Sequence, residues 1–249
     1  MTYRSPSTGR QVHAIVFDTF GTVVDWRTGI STAVAAFARR HDLDFDAAVF
    51  ADAWRAHYQP AMQRIRAGDR EFVDLDTLHR ENLDEVLQSY DVDVARLPAD
   101  DLEALARSWR LLPPWPDSVA GIEALKPHFV TGPLSNANTS LLVDMARHGG
   151  LPWDVVLGSD VWRAYKPDAA AYRGPAQLLK LDVGEVMLVA AHNSDLAAAR
   201  DVGLATGFVA RPLEHGAGQT KDLVAEGDWD VSATSITELA DAIAAAGGP

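Results

Sequence analysis

Cysteine is absent from this chain of 249 residues, so the protein has no disulfide bonds and no thiol chemistry. No apolar run approaches the roughly 18 to 20 residues that a membrane-spanning helix needs. Residues 1–11 are polar overall and lack the apolar core of a secretory signal. Together these absences predict a cytoplasmic protein with no membrane partner.

Positive charge is scarce as well. The chain has 35 Asp and Glu against 22 Lys and Arg, which gives a formal net charge of −13 and a pI near 4.9. Phosphate recognition needs clustered cations, so nucleic acid and anionic membranes are excluded as main partners. A functional lysine must be one of only four, which are Lys126, Lys166, Lys180 and Lys221.

Apolar residues make up 47% of the chain and charged residues 23%, which is typical of a soluble globular protein. No internal repeat or low-complexity segment is evident. A chain of this length accommodates one α/β domain with a large insertion, or two small domains. It is long enough to bury a sizeable core.

The strongest local pattern is an apolar run without helical spacing, Ala14 to Phe17, that ends abruptly in Asp18. It predicts a buried parallel strand with Asp18 at the carboxyl end of the sheet, where open α/β sheets bind ligands. The Gly-containing turn from Thr19 to Thr22 can direct backbone N–H groups at an anion in front of this carboxylate. Asp18 is therefore a candidate nucleophile, although an Asp that only caps the turn would give the same pattern.

The next part of the chain carries helical patterns only. Apolar residues recur at helical spacing, and no strand pattern of comparable strength appears before the stiff segment Pro113-Pro114-Trp115-Pro116. We interpret this stretch as a helical insertion. Its predicted helices begin near Thr28 and then cover residues 47–66, 75–89 and 99–111.

After Asp117 the pattern changes to alternating helices and strands. Such alternation predicts right-handed crossovers and a parallel sheet covered on both faces, so the fold class is α/β. The predicted strands cover residues 129–134, 155–157, 186–190 and 206–210, and the predicted helices cover 118–125, 139–147, 168–179, 196–202 and 236–245.

Three of the predicted strands end in polar residues at the same edge of the sheet, which is harder to explain by chance than any single site. Lys166, which precedes a helix of the same region, can reach this edge and hold Asp18 ionised. A solvent-exposed position is the ordinary alternative for a lysine. The polar residues at this edge are Thr22 beside Asp18, Ser135 with Asn136, and His192 with Asp195.

Four motifs in this order resemble those of the haloacid dehalogenase superfamily, and within it the hydrolytic (type II) 2-haloacid dehalogenases. The resemblance covers nearly the whole chain. It implies a Rossmann-like α/β core, residues 1–26 and 114–249, with an inserted all-helical cap, residues 27–113. The motifs are Phe17-Asp18-Thr19-Phe20-Gly21-Thr22, Leu134-Ser135-Asn136, Tyr165-Lys166-Pro167-Asp168 and Ala191-His192-Asn193-Ser194-Asp195.

Two positions separate this chain from the magnesium phosphatases that make up most of the superfamily. Those enzymes carry a second Asp where this chain has Phe20, and usually another Asp where it has Ala191. Mg²⁺ prefers oxygen ligands, and phosphoryl transfer needs a metal or cations on its oxygens, whereas a halide departs without a proton. The resemblance thus implies a dehalogenase with no metal and no cofactor. The alternatives are a phosphatase or another small-carboxylate hydrolase of the superfamily, and a non-catalytic binding protein.

The resemblance also implies a role for each site residue. Asp18 would displace halide from C2 of a small 2-haloacid and form an ester, with Lys166 orienting it. Trp26, Tyr58 and Met62 are candidates to line the apolar pocket, with core packing as the favoured interpretation. The other implied roles are support of the Asp18–Lys166 pair by Thr22 and Asp195, substrate carboxylate binding by Ser135 and the backbone N–H groups of Thr19 and Phe20, halide binding by Arg55 and Asn136, and a place near the lysine for Tyr172.

The fourth motif departs from the best-known family pattern. Ala190 and His192 stand where that pattern has a Ser and an Asn that help place the water for ester hydrolysis. Two interpretations of His192 stay open: a base or hydrogen-bond donor toward this water, or a neutral filler of the pocket wall. The sequence also leaves open the size, chirality and halogen of the substrate, and whether the protein is a homodimer.

Overall fold

The computed structural model describes residues 2–247, so residue 1 and residues 248–249 of the predicted core domain lie outside the described residues. Within the described part, the strands form a two-stranded antiparallel hairpin and a five-stranded parallel sheet. The strands are β1 (Tyr3–Arg4), β2 (Gln11–Val12), β3 (Ala14–Phe17), β4 (Val130–Pro133), β5 (Val186–Ala190), β6 (Ala205–Val209) and β7 (Val231–Ala233).

The parallel sheet has the order β4-β3-β5-β6-β7, which places β3 next to both β4 and β5. Successive side chains of β3 point to opposite faces, as the pleat of a strand requires. Ile15 and Phe17 join one buried apolar cluster, and Ala14 and Val16 join the other. Both faces of the sheet are therefore covered, which explains why β3 is a continuous apolar run. The α/β fold class is confirmed.

Helices flank this sheet and fill the chain between β3 and β4. No helix within residues 2–247 has the length and apolar character to cross a bilayer. The helices are α1 (Trp26–Arg40), α2 (Ala47–Ala56), α3 (Tyr58–Arg66), α4 (Leu75–Ser89), α5 (Ala99–Ala106), α6 (Ser118–Leu125), α7 (Thr139–Gly149), α8 (Ser159–Trp162), α9 (Ala169–Leu179), α10 (Asn193–Val202) and α11 (Ile236–Ala246).

Aspartates fix the starts of three helices in the helical insertion. The Asp25 carboxylate accepts a hydrogen bond from the backbone N–H of Thr28, and the Asp74 carboxylate accepts one from Thr77. Asp46 caps α2 in the same way. Each cap satisfies N–H groups that have no partner inside the helix, so these sequence positions determine where the helices begin.

Three predictions about the elements were wrong. The predicted helix 47–66 is two helices, because Pro60 lacks the N–H that would continue the hydrogen bonding to Ala56. The predicted helix 99–111 ends at Ala106 and continues as the 3₁₀ turn Arg107–Arg110. The predicted strand 155–157 is a loop that touches β4 through the carbonyl of Thr131 and the side chain of Asp154, without a ladder of strand pairs.

Strands β1, β2 and β7 and the short helix α8 were not predicted. Each has only two to four residues, too few to establish a periodic pattern. Strand β7 extends the parallel sheet beyond β6. The parallel core is therefore one strand wider on this side than the sequence pattern indicates.

Close packing of α6 against the start of α11 gives a test of this core. A Cβ atom at Gly121 would lie 2.7 Å from the backbone carbonyl carbon of Ile236, which cannot move aside as a flexible side chain can. We predict that Gly121→Ala lowers the free energy of unfolding by about 1 to 3 kcal/mol through overpacking. Gly218→Ala is the control, since its Cβ would have nothing within 4 Å. Urea denaturation of both variants checks this, and equal stability of the two would contradict the packing described here.

Candidate active site

Asp18 follows β3 and is tied to the neighbouring strand by its N–H, which donates to the carbonyl of Val189 at 2.9 Å. Its carboxylate accepts a hydrogen bond from the Thr22 hydroxyl at 2.8 Å and lies 3.2 Å from both Lys166 Nζ and His192 Nδ1. Burial raises the pKa of Asp18, but the attraction of Lys166 and His192 outweighs it, so the pKa lies well below its ordinary value. Asp18 is an ionised carboxylate.

Lys166 joins two carboxylates that are only 14% and 12% exposed, those of Asp18 and Asp195. Its side chain is 8% exposed, and its Nζ lies 2.6 Å from Asp195 Oδ2 and 3.2 Å from Asp18 Oδ1. Burial lowers the pKa of Lys166, but the charges of the two carboxylates raise it further than burial lowers it. The Tyr172 hydroxyl donates to the other oxygen of Asp195 at 2.7 Å, and Asn136 Oδ1 accepts the N–H of Lys166 at 2.7 Å. The structure thus brings these predicted site residues together.

His192 lies between two carboxylates. Its Nδ1 faces Asp18 Oδ2 at 3.2 Å, and its Nε2 faces Glu214 Oε2 at 2.9 Å. Burial lowers the pKa of His192, but Glu214 and Asp18 together raise it well above its ordinary value. A carboxylate on each side of the ring therefore favours its protonated form in the free enzyme.

Glu214 is a site residue that the sequence analysis missed. It is only 2% exposed, and its other oxygen accepts a hydrogen bond from the indole N–H of Trp26 at 3.0 Å. Burial raises the pKa of Glu214, but His192 lowers it by more. The one available signal was its position: Glu214 and His215 follow the predicted strand 206–210, at the edge where the other strands end in polar residues.

Arg55, on the last turn of α2, packs on aromatic rings. Its guanidinium carbon lies 4.0 Å from the ring centre of Tyr58, 5.4 Å from that of Trp26 and 5.7 Å from that of Phe20. The Tyr58 hydroxyl interacts with the side chains of Arg55 and Asn136. Arg55 Nη1 is buried and has no hydrogen-bond partner within residues 2–247. A guanidinium with a buried, unpaired N–H donor suits a small anion.

The turn after Asp18 supplies further donors. The Thr22 hydroxyl accepts the N–H of Ala191 at 2.9 Å while it donates to Asp18, which fixes the turn to the fourth motif. In the described chain, the backbone N–H groups of Thr19 and Phe20 donate to no protein acceptor. Ser135 is buried, and its hydroxyl oxygen accepts the N–H of Ala137 at 3.2 Å. The hydroxyl hydrogen of Ser135 is therefore left to donate to another group.

A cavity of about 890 Å³ opens in front of these groups. Of the predicted site residues, Thr19, Thr22 and Ser135 lie behind its wall. Trp26 and Tyr58, interpreted as core packing, line the cavity as well as being buried, whereas Met62 belongs to the core. The predicted residues in the wall are Asp18, Phe20, Arg55, Asn136, Lys166, Tyr172, His192 and Asp195, and those not predicted include Asp52, Gln59, Arg66, Glu214, His215 and Asp222.

The groups around Asp18 do not fit a magnesium ion. Lys166 and the charged ring of His192 are positive groups that each face one oxygen of Asp18. Phe20 lies among the aromatic rings of the helical insertion, with the ring of Trp109 at 5.7 Å. Within residues 2–247 no cluster of three or more His, Asp or Glu side chains is arranged to hold a metal. Mg²⁺ needs several oxygen ligands, and this donor set does not supply them.

An ionised aspartate at the end of a central parallel strand, paired with a lysine and facing a helical insertion, defines an α/β enzyme whose chemistry centres on one carboxylate. The chain belongs to the haloacid dehalogenase-like hydrolases, whose family model matches residues 12–203. No curated protein matches it.

Solved structures give the same result. A defluorinating L-2-haloacid dehalogenase is 59% identical, with a TM-score of 0.97 over 98% of this chain and 100% of that one. A second L-2-haloacid dehalogenase is 44% identical, with a TM-score of 0.89 over 94% and 99%. The enzyme of Xanthobacter autotrophicus with chloropropionic acid covalently bound is 21% identical, with a TM-score of 0.77 over 94% and 98%, and shares the fold.

The charge balance at Lys166 can be tested by stability. We predict that Lys166→Met lowers the free energy of unfolding by about 3 to 5 kcal/mol, because it removes the cation that Asp18 and Asp195 share. Lys126→Met is the matched control: Lys126 pairs with Asp154 at 2.9 Å, but both are about one-third exposed, so the loss is about 0 to 1 kcal/mol. Urea denaturation at neutral pH measures both. A loss of stability in Lys166→Met no larger than that in Lys126→Met would contradict the role of Lys166 in neutralising the charges of Asp18 and Asp195.

Proposed function

We propose that this protein is a hydrolytic 2-haloacid dehalogenase, which converts a small 2-haloalkanoic acid to the 2-hydroxy acid through an ester on Asp18. The observation that carries the proposal is an ionised carboxylate, Asp18, in the same cavity as the unpaired guanidinium donor of Arg55. A nucleophile and an anion site in one cavity suit a substrate that loses a halide. The L-2-haloacid dehalogenases at 59% and 44% identity support the same function.

In the first half-reaction an oxygen of Asp18 attacks C2, the new C–O bond forms, and the carbon–halogen bond breaks with its electron pair leaving on the halide. The halide departs as a stable anion and needs no acid, which is compatible with the apolar Phe20. Arg55 and Asn136 receive the halide, since both line the cavity and meet at the Tyr58 hydroxyl. Their positive and N–H donor groups stabilise charge that develops only as the bond breaks.

The substrate carboxylate has its own donors. The unpaired N–H groups of Thr19 and Phe20 and the hydroxyl of Ser135 lie in the loops that follow β3 and β4, two neighbouring strands. Binding the carboxylate there fixes the substrate in front of Asp18. Backbone N–H groups suit this role because they carry no charge that would neutralise the nearby nucleophile.

Four residues hold the nucleophile in place. Lys166 and Thr22 each contact one oxygen of Asp18, which limits its rotation. Asp195 holds the Lys166 ammonium at 2.6 Å, and Tyr172 holds Asp195. Holding one oxygen toward C2 lowers the activation barrier, because the enzyme has already met the entropic cost of orienting the nucleophile.

In the second half-reaction water attacks the carbonyl carbon of the Asp18 ester, and His192 activates that water. The 3.2 Å contact between His192 Nδ1 and Asp18 supports this role, because a base must lie within hydrogen-bond reach of the proton it takes. This assignment replaces the Ser and Asn of the best-known family pattern with a single titratable ring.

We also propose that the cap comprises residues 27–113 and the core residues 1–26 and 114–249. The two chain crossings lie side by side at this boundary, where the N–H of Asp25 donates to the carbonyl of Pro113 at 2.9 Å and Val24 forms a bridge with Pro114. Arg66 of the cap donates to the carbonyl of Lys166 at 3.1 Å, next to the site.

Halide release from chloroacetate, 2-bromopropionate and fluoroacetate tests the proposed function. We expect the wild-type protein to release halide at the same rate with EDTA or with added Mg²⁺, because no metal takes part. Asp18→Ala should lose at least about a thousandfold in rate, and its thermal unfolding provides the control for folding. A large loss on chelation that Mg²⁺ restores, with turnover of a phosphate monoester, would favour a phosphatase instead.

A further inference from the structure

Glu214 is a buried acid that the reaction described above does not use. It lies between β6 and β7, and its carboxylate lies close to three ring nitrogens: His192 Nε2 at 2.9 Å, Trp26 Nε1 at 3.0 Å and His215 Nε2 at 3.5 Å. Burying a carboxylate is costly unless it is paired. This acid is thus held on both oxygens, and one of its partners is the ring that faces Asp18.

The turn that carries the nucleophile is shaped around Glu214. Gly21 has φ +88°, and a Cβ atom there would lie 2.0 Å from Glu214 Oε1. A side chain at position 21 would therefore displace the carboxylate. The absence of a side chain lets Glu214 reach His192 from the side opposite to Asp18.

We propose that Glu214 is the positioning residue of His192: it holds the ring with Nδ1 toward Asp18 and stabilises the positive charge that the ring gains during hydrolysis of the Asp18 ester. The proposal rests on the proposed function. Its basis is the line Asp18–His192–Glu214, in which each ring nitrogen faces one carboxylate. A nucleophile, a base and a third group that orients the base form a recurring arrangement in covalent catalysis.

The protons of the second half-reaction balance through this line. Water attacks the ester carbonyl carbon of Asp18 and gives one proton to neutral His192 Nδ1, while Nε2–H stays on Glu214. The tetrahedral intermediate collapses, the bond between the carbonyl carbon and the Asp18 oxygen attached to C2 breaks, and that oxygen takes the proton from His192 and leaves as the product hydroxyl. The Asp18 carboxylic acid then gives its proton to His192, which restores the pair seen in the structure. In the next cycle His192 releases this proton to solvent after the ester has formed, so that the ring is neutral when water attacks.

Ester formation itself prepares the base. In the free enzyme the groups facing His192 are Asp18 and Glu214, with Lys166 beyond Asp18 and His215 beyond Glu214. The ester removes the charge of Asp18, so one of the two carboxylates that favour the protonated ring is lost. Glu214 keeps the ring oriented and able to accept a proton. His192 is thereby a cation beside the free nucleophile and a base beside its ester.

The test is Glu214→Gln, with chloroacetate as substrate. Gln keeps the size and an oxygen for Trp26 but not the charge. We expect the first burst of halide to stay within about threefold of wild type and ester hydrolysis to slow by about a hundredfold or more. An adduct on the peptide that contains Asp18 should then accumulate and be detected by mass spectrometry. Hydrolysis rises with pH as His192 loses its proton, and the midpoint should move to lower pH in this variant, because a lost carboxylate lowers the pKa of the ring.

Glu85→Gln is the matched control. Glu85 also contacts a histidine, His57 at 2.9 Å, but both side chains are exposed. The proposed reaction uses neither residue, so neither half-reaction should change. Glu214→Asp, which keeps the charge, should hydrolyse the ester faster than Glu214→Gln. A loss confined to the halide burst, or an unmoved pH midpoint with wild-type hydrolysis, would overturn the role of Glu214. Absence of halide release in the wild-type protein would instead overturn the proposed function, so the two failures are distinguishable.

Discussion

The attraction between Lys166 and Asp18, buried together at the end of β3, is the interaction on which the site depends. A carboxylate placed where water is nearly excluded takes up a proton unless opposite charge holds it ionised. Lys166 supplies that charge, and Asp195 in turn keeps Lys166 protonated although it is 8% exposed. The three strand ends and the start of α9 must meet for this to happen. The parallel sheet brings them together at one edge.

The two parts of the molecule contribute opposite kinds of group. The sheet edge provides the anion Asp18 and the acids around it, whereas the helices between β3 and β4 provide Arg55 within a cluster of aromatic rings. His79 belongs to this cluster, with its ring 4.4 Å from that of Trp109, and burial lowers its pKa so that it stays neutral. Arg55 is therefore a positive group packed among aromatic rings of the cavity wall. An anion formed beside these rings meets its unpaired guanidinium donor.

Much of this arrangement could be predicted from the sequence, because it depends on patterns that are local. The strand Val186–Ala190 and the helix Leu75–Ser89 have the predicted bounds, since a buried run and a long helical periodicity each determine one structure. Lys166 was placed on Asp18 for a different reason, because motif order fixes which strand ends meet. The break at His57 and the loop at Val155 were missed, as short segments follow tertiary contacts.

Glu214 could not be predicted in the same way. Its role depends on burial at 2% exposure and on the gap left by Gly21, and neither is visible in a linear pattern. An exposed Glu beside a His in a loop would have the same sequence. Sequence reasoning found the histidine because a motif carries it, but it could not find the acid that holds it. Residues that act through another residue are therefore the part of a site that needs the structure.

The most direct test of the account is the fate of an oxygen label. In a single turnover of chloroacetate in H₂¹⁸O, with enzyme in excess, water attacks the carbonyl carbon of the Asp18 ester and not C2 of the substrate. Mass spectrometry of the peptide that contains Asp18 should therefore show ¹⁸O in its carboxylate, while the product hydroxyl carries the unlabelled oxygen of Asp18. Label in the product hydroxyl after that first turnover, with none in Asp18, would contradict the covalent role of Asp18.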